Sequence, residues 1–519
     1  MSDPTTRDNA IDQPDMKLFW GCFLALIATS AAFIIRALII DDWATDFNLT
    51  ETQKGELFGV GLWPFAISIV LFSLIIDKIG YGKAMVFAFA CHVLSAIITI
   101  FASGYWGLYI GTFIVALGNG TVEAVINPVV ATMFKRNKTK WLNILHAGWP
   151  AGLVLGGLLV IFLGEADWRI KVGLLLIPTA IYGLMLARAH FPVNERVAAG
   201  VSYMDMLKEA GAIGCLIVVS MITFEIGRVF SIPFYLEVLI ILVVTGIYAY
   251  YVKSFGKPLF LFLLIIMMPL AITELGTDSW ISELMRPAMA ELGISAGWVL
   301  VYTSFIMMLL RFFASGPLVQ RFTPLGLLAI CCVIAIAGLY WLSMAAGVAI
   351  LIAATFYGFG KSFFWPTMLG IVAERFPKGG ALTLNAIAGV GMLSVGVVGS
   401  PFLGNFQDRQ IVNEIQIHDE EAGTQLFSTY VTEEAGIFGE YFAVNRELLE
   451  TALEDESATI VAITQDAKKS ALATVALFPL FMLICYVILI LYFKSRGGYS
   501  VVNLGHGDNV ESDYENDSP

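Results

Sequence analysis

The sequence predicts an all-α integral membrane protein, built from two six-helix halves related by pseudo-two-fold symmetry plus two extra spans between them, about 14 transmembrane helices in all. Three observations carry this expectation. Of 519 residues, 58% are hydrophobic and only 14% charged, against about 25% charged in soluble domains. The apolar runs are about 20 residues long, the length of a helix crossing the hydrocarbon layer, whereas barrel strands would be about ten residues and alternating. Features of the first six runs also recur in the second half.

Composition narrows the function classes. The 48 glycines suit close helix packing. The six cysteines, Cys22, Cys91, Cys215, Cys331, Cys332 and Cys485, all fall in apolar runs without metal or disulfide spacing, and read as core. No metal spacing, nucleophile–base motif or phosphate loop stands out, so neither an enzyme nor a cofactor is expected. The net charge of −12 comes mostly from two soluble pieces and does not point to nucleic acid.

Residues 1–16 form a polar tail without the shape of a cleavable signal. The N-terminal six-helix bundle is expected over 17–190. Its first span, 17–40, contains Arg36 and is followed by Asp41 and Asp42. Thr50 is placed to cap the second, 55–76. A turn comes next, carrying Asp77, Lys78 and Gly80. Spans three to six are expected at 84–103, 107–134, 142–164 and 171–190. Residues 191–258 read as a central loop plus two extra spans, near 212–230 and 232–251; the even number preserves the topology of the later spans. The first five helices of the C-terminal bundle fall in 259–406, at 259–285, 295–318, 325–344, 348–376 and 381–406. Residues 407–470, with fourteen acidic and four basic residues, read as an acidic extracytoplasmic insertion, and the spacing over 433–456 suggests helix. The last span is 471–494, and 495–519 is a polar tail expected to be disordered. Lys and Arg concentrate on one side, including Lys78, Lys83, Lys135–Lys140, Arg196, Arg321, Arg375 and Lys494. Both termini are therefore expected in the cytoplasm of a cell whose inner membrane holds the chain.

The fourth run is the least ordinary. Glu123 and Asn127 stand at its middle, Pro128 follows, and Gly118 and Gly120 precede. A carboxylate at that depth costs about 2.5–3.5 kcal/mol on insertion scales and so faces a cavity or a partner. Pro128 frees a backbone carbonyl for a ligand or a neighbouring helix. The second half echoes the first. Ser73, Asp77 and Lys78 match Gly316, Gln320 and Arg321; Leu142-Asn143 matches Leu384-Asn385; aligning Pro128 with Pro366 sets Glu123 opposite Lys361.

On these residues the chain resembles the major facilitator superfamily over nearly its whole length. The run Gly120, Glu123, Asn127, Pro128 is similar to the fourth helix of the fucose permease group of sugar–proton symporters, as are Leu142-Asn143 and Glu274-Leu-Gly-Thr-Asp278-x-Trp280. In that group the matching Glu contributes to sugar binding and proton coupling. Arg36 stands where those permeases carry an aspartate, and Ser73 replaces the usual glycine. The resemblance places helices one, four, seven and ten of the two halves around a central cavity. These carry Arg36, Glu123, Glu274 with Asp278, and Lys361. Glu123 is then expected beside Arg36 or Lys361, switching between an ion pair and a protonated form. Trp149, Trp280 and Trp365 would stack on a sugar; Asn119, Asn127, His146 and Asn385 would bond its hydroxyls. Asp77, Lys78, Gly80 and Arg321 would serve the conformational turns, with Arg311 grouped with Arg321 and His92 as packing.

Several alternatives stay open at this level. Arg36 could instead pair with Asp41 or Asp42, Asp278 could sit in the outer mouth, and His146 and Trp365 could be packing residues. Three functions fit: a proton-coupled transporter of a sugar or related polar solute; an organic-anion or phosphate-ester transporter using Arg36 and Lys361; and a non-transporting receptor or assembly subunit using 407–470. The expected partners are the solute, protons and the lipid bilayer.

Overall fold

The computed structural model describes residues 14–278, 289, 293, 297–345, 347–436, 439–445, 448–449 and 451–504. A long apolar run in lipid must satisfy its backbone within itself. Accordingly, the described residues hold twelve helices long and apolar enough to cross a membrane. The first half comprises α1 (Met16–Phe47), α2 (Gln53–Ile79), α3 (Tyr81–Ile100), α4 (Tyr105–Met133), α5 (Lys138–Leu163) and α6 (Trp168–Leu186). The extra pair is α7 (Tyr203–Phe230) and α8 (Phe234–Val252), and the second half opens with α9 (Pro258–Gly276). The longest helix, Gly297–Met344, breaks at Thr323, φ 59°, just before Pro324. It therefore supplies two spans, α10 (297–322) and α11 (324–344). A further crossing is interrupted before Pro366, giving α12 (Ala349–Lys361) and α13 (Phe364–Arg375). Then come α14 (Pro377–Gly399), its outward continuation α15 (Ser400–Ala422), α16 (Glu454–Val475) and α17 (Leu477–Ser495). The protein is a multi-pass membrane protein with two extra spans between its halves.

Local chemistry sets these boundaries. Thr50 caps α2 reciprocally with Gln53, closing a capping box. Gly80, at φ 84°, separates α2 from α3. Gly120 lets α4 lie on the backbone of α2; a Cβ there would stand 2.1 Å from the Phe65 carbonyl oxygen.

The extra pair leaves the bundle through a narrow neck. Gly211 (φ 61°) and Gly256 (φ 103°) cross backbone on backbone. Ala212 N–H donates to Ser254 and Lys257 N–H to Glu209, so exit and return are laced together. Helix α7 packs on α14, while Phe234, Tyr235, Leu242 and Tyr250 of α8 face outward.

The face bearing both described chain ends is here the terminal face. There Phe19 packs on Phe134 and Trp141, and Tyr499 donates to Glu374 at 2.7 Å. The insertion lies at the opposite face. The helix expected over 433–456 is not what the structure shows. Strands β1 (Val431–Gly436) and β2 (Gly439–Val444) pair antiparallel, with Val431 opposite Val444. Val, Thr, Tyr and Phe on these strands suit a half-buried sheet, and Gly436 pairs with Gly439 at its end. Ile411, Ile415, Leu426, Tyr430 and Ile460 form the subdomain's own core. The tail is also more ordered than expected as far as it is described. Val502 N–H donates to the Glu374 carbonyl, and Arg375 Nη1 donates to Ser500 O at 2.8 Å.

Candidate functional site

Prolines shape the site. A proline has no N–H, so the carbonyl four residues earlier lacks its helical donor. Three such carbonyls stand where the two halves meet, and each is filled by a side chain. Pro128 leaves Ala124 O, which accepts from Asn385 Nδ2 of the other half at 3.1 Å. Pro150 leaves His146 O, which accepts from Arg311 Nη1 at 2.9 Å. Pro366 leaves Ser362 O, which accepts from Arg311 Nε at 2.5 Å.

Arg311 thus joins the halves. Its Nη2 also donates to Glu274 Oε1 at 2.6 Å, while Glu274 Oε2 accepts from the Trp365 N–H at 2.9 Å. Both side chains are buried. A buried ion pair is tolerable when its remaining donors and acceptors are also matched; here the guanidinium meets three acceptors and each carboxylate oxygen one donor.

Across the seam, Asn127 Nδ2 donates to Glu123 Oε2 at 2.7 Å. Asn127 Oδ1 must then accept, so the His146 proton sits on Nε2, 2.9 Å away. His146 Nε2 is also 3.9 Å from Glu123 Oε2. No Lys or Arg among the described residues lies within 4.0 Å of the Glu123 carboxylate. Glu123, His146, Trp149, Glu274, Arg311 and Trp365 line a cavity of about 20 Å³, room for about one water.

Toward the terminal face the seam is closed by polar pairs. Thr139 N–H and Oγ1 donate to Glu374 Oε1 at 3.2 and 2.6 Å. Lys138 Nζ donates to Ala373 O and Glu195 Oε2, and Asn143 Nδ2 to Thr367 Oγ1. Toward the opposite face, Ile34, Leu153 and Leu300 close it with apolar contacts.

Of the residues singled out by sequence, Glu123, Asn127, His146, Trp149, Glu274, Trp365 and Asn385 meet at this seam. Lys361 and Asp278 pair with each other inside the second half, beneath the Tyr357 ring. Lys361 therefore does not stand opposite Glu123. Helix α4 runs unbroken through Pro128 whereas α12 stops at Lys361, so equal spacing before proline does not give equal direction. Arg36 is not beside Glu123 either. Its guanidinium packs against Gly61 and over the rings of Phe33 and Phe58, 5.7 and 5.6 Å from their centroids. It pairs with neither Asp41 nor Asp42, which take Lys54 and Lys171. Asn119 turns away from the cavity and meets His92 Nε2 at 2.9 Å, with Tyr182 on the other ring nitrogen. A buried amide needs a partner, and helix α3 supplies one. Trp280 lies outside the described residues.

The four turn residues stand at the terminal face. Asp77 accepts from Arg196 Nη2 at 2.5 Å, Lys78 lies over the Tyr203 ring and Arg321 over Phe322. Arg311, grouped by sequence with that gate, is instead the centre of the seam. The signal for it was present: an arginine inside an apolar run, in a chain whose prolines leave carbonyls open.

The profile of the Major Facilitator Superfamily matches residues 18–401. Among curated proteins, the chain is 24% identical over 184 residues to the "Protein TsgA homolog" of Buchnera aphidicola, covering 35% of this chain and 47% of that one. It is 24% identical over 194 residues to the "Probable sugar efflux transporter" of Helicobacter pylori, covering 37% and 49%. The chain spans about half the length of these relatives. Among solved structures, a variant of the E. coli fucose:proton symporter FucP superposes with TM-score 0.56 at 16% identity, over 92% of this chain and 99% of that one. The human organic anion transporter MFSD10 superposes with TM-score 0.58 at 12% identity, over 91% and 99%. These likenesses establish the shared fold.

Proposed function

Because the chain belongs to the Major Facilitator Superfamily, we propose that this membrane transporter moves a sugar or related polar solute by alternating access, coupled to protons through Glu123. The observation that carries the reading is the buried chain Glu123–Asn127–His146, set across the seam from Glu274–Arg311. Arg311 grips carbonyls on both halves, so rocking them apart breaks its bond to His146 O and unsettles the Glu123 network in the same motion. Glu123 is then the proton carrier, with Asn127 donating to its carboxylate and His146 fixing the orientation of Asn127. Trp149 and Trp365 stack on the solute, while Asn127, His146 and Asn385 bond its hydroxyls. Lys361 and Asp278 hold α12 against α9, and Asp77, Lys78, Gly80 and Arg321 serve the turns at the terminal face. The relative named as a sugar efflux transporter and the structural likeness to a fucose:proton symporter support the solute class. The basic terminal face is assigned to the cytoplasm of a cell with the protein in its inner membrane, and the acidic insertion to the outside.

Proteoliposomes with an imposed pH gradient test this. Glu123→Gln should retain solute exchange and lose uphill, proton-driven accumulation. Accumulation at the wild-type level in that variant would remove Glu123 from the coupling.

A further inference from the structure

The cations buried in the inner helices do not all find partners, and the one left over points to the solute. Among the described residues, three cations lie within the membrane on the inner helices: Arg36, Arg311 and Lys361. Glu274 takes Arg311 and Asp278 takes Lys361. Arg36 has no carboxylate within 4.0 Å among the described residues. It is nevertheless buried, 5% exposed, and its Nε is without any acceptor. Two rings face it, Phe33 and Phe58, which touch each other, with Phe33 also packed on Trp149 at 6.1 Å. Trp149 lines the cavity. Arg36 therefore stands one aromatic layer beyond the Glu123 site, toward the face opposite the chain ends, where it lines its own pocket of about 40 Å³ with Ser95, Thr99 and Thr112.

A buried guanidinium without an anion is expensive to keep, and its planar fork matches a carboxylate in two parallel hydrogen bonds. We infer that the transported solute is a hydroxylated monocarboxylate whose acid group is held by Arg36 while its polar body enters the Trp149–Trp365 cavity. This rests on the transporter reading above and narrows its solute. It uses Arg36 alone, since Asp278 already neutralises Lys361.

The charge count supports a single negative charge. Three carboxylates on the same helices, Glu123, Glu274 and Asp278, balance the three cations in number. When Glu123 carries a proton, the inner helices together hold one positive charge in excess, which one carboxylate cancels. A monoanion crossing with one proton then leaves no net charge in the membrane, where an uncompensated charge is costly. The coupled step would carry no current.

The test uses the purified full-length transporter, with gluconate and galacturonate as probes and glucose and galactose as their neutral counterparts. Melting is followed as each is titrated, because a ligand that binds the folded state raises its melting temperature. One or both acids should stabilise the wild type, and their neutral counterparts should not. In Arg36→Gln the acid should bind at least about tenfold more weakly, and Arg36→Lys, which keeps the charge, should recover part of the loss. If Arg36→Gln does not fold, Arg36→Lys still reads the fork, because a point charge in place of two parallel bonds should weaken the acid several-fold. Stabilisation by a neutral sugar that Arg36→Gln leaves unchanged would overturn the acid and leave the transporter reading intact. An acid effect that survives Arg36→Gln, or no effect of either acid on the wild type, would also overturn it. The Glu123→Gln accumulation assay stands or falls separately.

Discussion

Arg311 shows how a single side chain can hold two halves together without preventing their separation. Its strongest partners, Glu274 and Ser362 O, belong to the second half; only His146 O belongs to the first. Opening the seam therefore breaks one of Arg311's hydrogen bonds and leaves its ion pair intact. Removing the guanidinium is another matter, because it strands Glu274 in a buried site. Arg311→Ala should destabilise the protein by about 3–5 kcal/mol, while Arg311→Met combined with Glu274→Gln should regain much of that and still fail to transport. Thermal melting of the three proteins, together with uptake, checks it. At this scale the sequence is informative wherever a polar group sits deep in an apolar run: Glu123, Asn127, His146 and Glu274 all reach the seam. It misleads where direction matters. Asn119 lies one turn before Glu123 yet bonds to His92, and nearness to Arg321 suggests a gate role for Arg311 that the structure does not bear out. Spacing gives the turn of a helix; which neighbour offers a free acceptor is a tertiary fact.

Among the elements, α5 and α13 pack closely between halves at the terminal face. A Cβ on Gly370 would lie 2.3 Å from Thr139 Oγ1 and 2.7 Å from its Cα. Gly370→Ala should therefore push α13 off α5 and favour the form open at the terminal face. Labelled-cysteine distances across α5 and α13 should lengthen. Gly120→Ala should cost about 1–3 kcal/mol of stability, because the clash there is with backbone that cannot rotate away. The subdomain at the opposite face has its own fastening. Asp419 is partly desolvated, which raises a carboxyl, but donors from Thr424, Phe427 and Leu426 outweigh this and hold it below its ordinary value. A carboxyl lowered by folding adds stability above its unfolded value and loses it as pH falls through the folded one. The hydrogen-exchange protection factors of the Leu426 and Phe427 amides should therefore fall on acidification below the ordinary carboxylate range, and Asp419→Asn should show reduced protection at every pH. The boundaries of these elements follow from apolar run length and capping residues. The β-hairpin does not, because acidic residues at helical spacing carry no apolar stripe to say which period wins.

For the molecule as a whole, the bundle layout is legible because lipid leaves a long apolar run little choice but helix. The closed seam is not, since it depends on where three freed carbonyls find donors, two of them from the opposite half. The neck at Gly211 and Gly256 has a consequence of its own. The chain leaves the bundle and comes back at a single point, with Gly256 N 2.0 Å from where a Gly211 Cβ would be. The hairpin it closes is in that sense a detachable cassette: residues 212–255 could be cut out and the two glycines spliced with little strain. Such a shortened chain should still insert and transport, with a lower melting temperature because α14 loses its cover. The same geometry lets a helical bundle of this kind acquire or discard a helix pair in one genetic step, leaving the alternating order of every later span as it was.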